Sequence, residues 1–146
     1  MRLCLDASAV GPWVCNRAGG AWTPGRGTAI GKLDEAGHLT AGVLYEDWNG
    51  ANIVCHIAGD GNWATKEYLN VIFDYPFNQL GVRRITCPVA STNIKSINLV
   101  RRMGFALECS LAQAIPDGDL HLFRMFKDEC KYIRGKYGKV QRPQNA

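Results

Sequence analysis

The chain has 146 residues, 47% of them apolar and 21% charged, values typical of one ordinary globular domain, which argues against disorder and against a miniprotein held by disulfides or metal. No apolar run approaches the roughly 18 residues of a membrane span, and Asp6 and Pro12 interrupt the N-terminal apolar stretch too early for a secretory signal, so a cytoplasmic chain without a membrane partner is expected. The net charge of +4 is concentrated at one end: the last sixteen residues hold Lys131, Arg134, Lys136, Lys139 and Arg142 without an acid, which predicts one domain over 1–130 and a basic tail over 131–146.

The first 26 residues are broken by Gly19, Gly20, Pro24 and Gly25; RLCL reads as a short strand and ASAVGPWVCN as a short helix or extended segment. TAIGKLD and LTAGVLYEDW then read as two strands around a turn at Gly37, and Asn49-Gly50 before ANIVCHIAG predicts a type I′ hairpin to a third. Three antiparallel strands are expected there. From Ala64 the period becomes helical: Leu69, Ile72, Phe73 and Leu80 recur at three- and four-residue steps, with Pro76 set to kink or end the helix. VRRITCPVA follows as a strand rich in β-branched residues. Ser91, Thr92 and Asn93 are successive N-cap candidates for a helix that carries Ile94, Ile97, Val100 and Met103 on one side. Arg101 and Arg102 suit its last turn and Gly104 its left-handed cap. ALECSLAQA and LHLFRMF form a final hairpin with a rather open turn over Pro116 to Asp119.

Six cysteines, none in a C-x-x-C pair, sit mostly in apolar runs and read as reduced structural thiols, and His38, His56 and His121 show no ligand spacing, so no metal is expected. Tyr132 and Tyr137 among the tail's cations are compatible with a polyanion, but a solvated terminus is the plainer reading and a nucleic-acid partner is not expected. Gly59-Asp60-Gly61-Asn62-Trp63-Ala64-Thr65-Lys66 joins a strand to a helix start, where free N–H groups and the dipole favour a phosphate, with Thr65 and Lys66 as further contacts; an ordinary turn is the alternative.

The ordered series LGVRRITCPV, then Asn93-Ile94-Lys95-Ser96, then Arg102-Met103-Gly104-Phe105, ending in GDLHLFRMFKDEC, resembles the GNAT superfamily of N-acetyltransferases. With its HIAG strand, Trp-centred turn and Phe73-to-Phe77 segment it is similar in particular to small acetyltransferase-like proteins of phages and proteobacteria. The resemblance implies an α/β fold with a central, mostly antiparallel sheet, splayed strands and flanking helices. It implies acetyl-CoA as cofactor, its pantetheine lying between strand 51–58 and strand 82–89 and bonding near Cys55 to Ala58, Ile57 and Ala58 included. Gly61, Asn62, Trp63, Ala64, Thr65 and Lys66 would take the place of the R-x-x-G-x-G/A pyrophosphate loop. Gly61 stands where the Arg falls, Ala64 at the first Gly and Lys66 at the last position. Asn93 and Ser96 would lie near the cofactor's far arm.

What the resemblance implies chemically is direct attack of a primary amine on the thioester, the amine belonging to a small molecule or a protein. The usual thiolate acid, a Tyr, is replaced here by Val100, which leaves Ser96, Tyr75, a water or no group in that role. His56 is the candidate base, because its ordinary pKa suits proton abstraction near neutrality, against the alternative of a packed strand residue. Cys55 reads as packing, Trp63 as a staple onto the sheet, and Glu46 and Asp47 as solvated. His121 is a weaker candidate for the acceptor side. The short opening segment with Trp13 and Trp22 falls where acceptor-binding helices would lie, leaving room for a partner subunit in a homodimer. The rival reading is a non-catalytic GNAT-like structural or interaction protein, associated with phage.

Overall fold

A computed structural model describes residues 1–134. Seven strands form one sheet in the order β1 (Arg2–Cys4), β2 (Thr28–Leu33), β3 (Leu39–Glu46), β4 (Asn52–Gly59), β5 (Arg84–Ala90), β7 (Gly118–Phe126), β6 (Ala106–Ile115). Every neighbouring pair is antiparallel except β4 and β5. That one parallel pair is short. Its register runs from Asn52↔Arg84 to Val54↔Thr86 and stops, although β4 continues to Gly59 and β5 to Ala90. Each strand stays bound to its other neighbour, through Gly59↔Ala41 and Ala90↔Leu120. The sheet therefore opens into a V with facing backbone edges that have no ladder partner, the splay expected between these strands.

Helix α1 (Ala7–Ala18) covers one face, capped by Asp6, whose side chain accepts from the Ser8 N–H. Its close seat comes from a cross-strand glycine pair, Gly31↔Gly42. A Cβ on Gly42 would stand 2.7 Å from Val14 and 2.8 Å from Val10, and one on Gly31 2.8 Å from Val10. Val10, Val14 and Cys15 pack there on Ala29, Leu44 and Ala58.

The opposite face carries the larger core, formed by α2 (Lys66–Asp74), α3 (Ile94–Met103) and the sheet residues Val43, Tyr45, Ile53, Cys55, Ile57, Ile85, Cys87, Val89, Phe123 and Met125. Thr65 caps α2 by accepting from the Tyr68 N–H. Pro76 does not stop the helix; the chain widens into a π-turn over Tyr75–Gln79. Of the three N-cap candidates for α3, Asn93 takes the position, its side chain accepting from the Ser96 N–H at 3.1 Å, and Gly104 closes the helix at φ 106. The order of strands and helices agrees with the sequence reading.

Two turns differ from it. Asn49-Gly50 is part of a five-residue connection, not a two-residue hairpin: Asp47 already has φ 55, and the Asn49 side chain accepts from the Ala51 and Asn52 N–H groups. The last hairpin is tighter than expected, with only Pro116 and Asp117 between β6 and β7. Most of the expected basic tail, from 135 on, lies outside the described residues. Its beginning is core: Tyr132 and Ile133 are buried, and Tyr132 stacks on Phe73 at 5.0 Å between ring centroids and 15° between planes. No described helix is long and apolar enough to cross a membrane.

Candidate active site

At the open end of the V lies a cleft of about 290 Å³. One side is Ile57, Ala58 and Gly59 of β4 with Gly61 and Trp63 of the following turn; the other is Lys95, Ser96, Leu99 and Arg102 of α3, with Arg17 from the end of α1. Three cations thus converge on one cavity. Arg17 is held there by Asp60, whose carboxylate lies 3.1 Å from its guanidinium, and by stacking 3.7 Å over the Trp13 ring. Trp63 can lie flat against β4 only because Gly59 has no side chain: a Cβ there would come within 2.2 Å of the indole. The same indole meets Tyr68 edge-on at 5.9 Å, which seats the turn on α2.

A narrower slot of about 10 Å³, sharing Ile57 and Ser96 with the cleft, lies between the splayed strands, lined also by Ala18, Cys55, His56, Cys87, Pro88, Val89 and Val100. His56 and Ser96, far apart in sequence, both line this one slot. Val100 occupies the wall where the resemblance would set a tyrosine. Burial pushes the Cys55 and Cys87 thiols far up, Cys87 further repelling Cys55, so both are inert packing groups. Tyr75 is elsewhere: it lines an apolar groove with Leu3, Leu5, Thr28 and Val71, and its hydroxyl lies 3.2 Å from that of Thr28.

His56 pairs in register with Leu44 and stands on the α1 face. Its Nε2 is 3.0 Å from Glu46 Oε1, and the second oxygen of Glu46 is 2.8 Å from Arg26 Nε. Glu46 is only 7% exposed, which corrects its reading as a solvated strand end. Asp47, beside it, is exposed and lies 3.4 Å from Arg26. Desolvation holds the His56 imidazole below its ordinary value, against the upward pull of Glu46, so the ring is neutral at neutral pH.

Of the residues read as cofactor contacts, Ile57, Ala58, Gly61, Trp63 and Ser96 line the cleft. Asn62, Ala64, Thr65, Lys66 and Asn93 are not among its lining residues. The Thr65 hydroxyl caps α2 and lies 3.4 Å from Lys32 Nζ, while Lys66 is exposed at the first position of that helix. Asn93 caps α3 and donates to the Ala18 carbonyl at 3.3 Å, tying α3 to α1. His121 lies on the hairpin, its Nδ1 2.6 Å from the Ser110 hydroxyl. Sequence reasoning missed Arg17, Lys95 and Arg102 as cleft residues and Glu46 as the partner of His56. For Lys95 and Arg102 a signal existed, since 95, 99 and 102 share a helical face with Ser96 beside them.

This structure fits a CoA-type ligand. The facing, unpaired strand edges suit the amides of a pantetheine arm, and three cations suit its phosphates. A mixed sheet splayed at its one parallel pair, with a basic cleft at the mouth, defines an acyl-CoA-dependent acyltransferase. The acetyltransferase (GNAT) domain family matches residues 40–121, more than half of the chain, and the protein belongs to that family of N-acetyltransferases, which use acetyl-CoA to acetylate amines. No curated protein sequence matches the chain. Among solved structures, a chimera of the spermidine N-acetyltransferase SpeG from Vibrio cholerae with hSSAT aligns at TM-score 0.65 and 15% identity, covering 88% of this chain and 98% of that one. A spermidine N-acetyltransferase from Vibrio cholerae in complex with CoA and spermine aligns at TM-score 0.61 and 19% identity, covering 72% of this chain and 68% of its own. A GNAT-family acetyltransferase from Bacillus anthracis gives TM-score 0.58 and 13% identity, over 69% and 67% of the two chains. At these identities the likeness is one of fold.

Proposed function

We propose that this acetyltransferase acts on a primary amine of a small molecule or a protein, with His56 as the base. The observation that carries the reading is that His56 of β4 and Ser96 of α3 both line the slot between the splayed strands. When bound, acetyl-CoA supplies a thioester carbonyl open to attack. Arg17, Lys95 and Arg102 would hold its phosphates, and backbone groups of Ile57 and Ala58 would hold the arm. His56, neutral and desolvated, takes the proton that the ammonium must lose before its nitrogen attacks. The Ser96 hydroxyl would donate a hydrogen bond to the departing thiolate, which takes the proton that the attacking nitrogen loses on becoming an amide; a CoA thiolate leaves well enough that this contribution is small. The exposed turn positions Asn62, Ala64, Thr65 and Lys66, with Asn93, form the outer rim of the cofactor site.

Six unpaired cysteines support a cytoplasmic setting. The test is titration of acetyl-CoA into the folded protein, followed by turnover over an amine panel that includes spermidine, because two of the structural relatives above are spermidine N-acetyltransferases. His56→Ala is expected to cut turnover while CoA affinity stays nearly intact; no binding up to millimolar ligand overturns the reading. Binding without turnover on any amine would favour the non-catalytic alternative, which Val100 on the slot wall supports.

A further inference from the structure

We infer that Glu46 and Arg26 are positioning residues for His56: Glu46 accepts the Nε2–H and leaves the ring's lone pair on Nδ1, while Arg26 clamps the other carboxylate oxygen. This rests on the reading of His56 as the base. The two contacts, 3.0 Å and 2.8 Å, use different oxygens of one carboxylate. A carboxylate that is 7% exposed needs both partners to be tolerated where it is. Arg26 comes from the glycine-rich connection between α1 and β2, and it also reaches Asp47, whose left-handed backbone, φ 55, turns the chain just after Glu46.

The charges and titratable groups around the ring come from each neighbouring element: Glu46 and Asp47 at the end of β3, Arg26 from the connection, and on α1 the Cys15 thiol, which burial and then Glu46 push up. Arg26 opposes protonation of His56, and Glu46 favours it.

The arrangement has a chemical consequence that an ordinary buried ion pair lacks. Arginine can only donate. In Glu46→Gln, Arg26 therefore takes the amide oxygen and leaves the NH₂ group facing His56 Nε2. That nitrogen must then accept, and the ring proton moves to Nδ1. An isosteric change so withdraws the lone pair that receives the substrate proton, a wrong-tautomer defect. Arg26→Met added to Glu46→Gln frees the amide to turn its oxygen back to His56.

The test is ring-nitrogen NMR of His56 in the whole protein, read alongside kcat and KM. Neutral wild-type His56 is expected as the Nε2–H tautomer, Glu46→Gln as Nδ1–H with kcat down about a hundredfold and KM for acetyl-CoA unchanged, and the double variant as Nε2–H with part of kcat restored. An Nδ1–H ring in the wild type, a measurement that needs no variant, overturns the inference, as does Glu46→Gln with an unmoved tautomer. If the tautomers follow this pattern while His56→Ala keeps full turnover, the positioning stands and the assignment of His56 as base is what fails.

Discussion

Arg17, which lines the basic cleft, forms an ion pair with Asp60 at 3.1 Å, joining the end of α1 to the turn after β4. Arg17 is thereby delivered to the cleft, and part of its charge is cancelled. Removing the cation and removing its counter-charge should act in opposite directions. Arg17→Ala is expected to weaken acetyl-CoA binding about tenfold, as loss of one charge-assisted phosphate contact does. Asp60→Asn is expected to tighten it, with a steeper dependence on salt. Calorimetric titration of the two variants checks the signs; weakening by both would mean that Asp60 matters only for placing Arg17.

A second comparison separates the cleft from the helix start below it. Arg102 lines the cavity, whereas Lys66 stands exposed on α2 outside its lining. Arg102→Glu is expected to raise the dissociation constant of CoA at least tenfold, and Lys66→Glu by less than about threefold, the small effect of an exposed charge. Equal losses would move the phosphates toward the turn.

What the sequence disclosed follows from how local each signal is. Helix α3 was legible from end to end because its cap, its apolar spacing and its terminal glycine lie within a dozen residues, and β4 and β5 were legible as short β-branched runs. The basic cleft was not. It joins Arg17, the turn at Gly61 and Trp63, and four positions of α3, which only the folded sheet brings together. Glu46 read as solvated because a charge at a strand end usually is; its burial depends on Arg26 and His56, each at least ten residues away. The Asn-Gly signal was overruled by Asp47, whose backbone had already turned. Tyr132 was hidden in a run of cations that gave no sign of a buried ring.

That ring carries its own expectation. Tyr132 is 4% exposed, stacks on Phe73, and its backbone carbonyl accepts from the Asn70 side chain at 3.0 Å. Tyr132→Ala should cost about 3–5 kcal/mol, as for other buried aromatic truncations, and Tyr132→Phe far less. Denaturant unfolding of the two variants measures the difference. A loss below about 1 kcal/mol for alanine would place Tyr132 outside the cooperative core.

The glycine pair beneath α1 predicts a loss of another kind. Val10 and Val14 are β-branched and cannot swing away from a new Cβ at 2.7 to 2.8 Å. Gly42→Ala is expected to destabilise by about 1–3 kcal/mol through overpacking. Because the helix must lift, Arg17 at its end should also lose its seat, so CoA affinity falls along with Tm. A fall in Tm at unchanged affinity would show that the helix end is held by Asp60 and Asn93 rather than by its own packing.

The last expectation concerns acid. His56 sits below its ordinary value of 6.5 because desolvation outweighs the pull of Glu46. Between that value and the lower folded one, the unfolded chain binds more protons than the native protein, so native stability rises with pH there. The contribution is complete above pH 6.5 and is lost progressively as pH falls toward the folded value. Thermal unfolding of the wild type is therefore expected to drop on acidification below pH 6.5, and His56→Gln, which has no proton to gain, should show a shallower drop over the same window. Activity should fall over the acid limb as well, since protonation removes the lone pair that accepts the substrate proton in the proposed mechanism. If the two unfolding profiles run parallel, the ring is not desolvated, and the neutral base at the slot wall loses its physical ground.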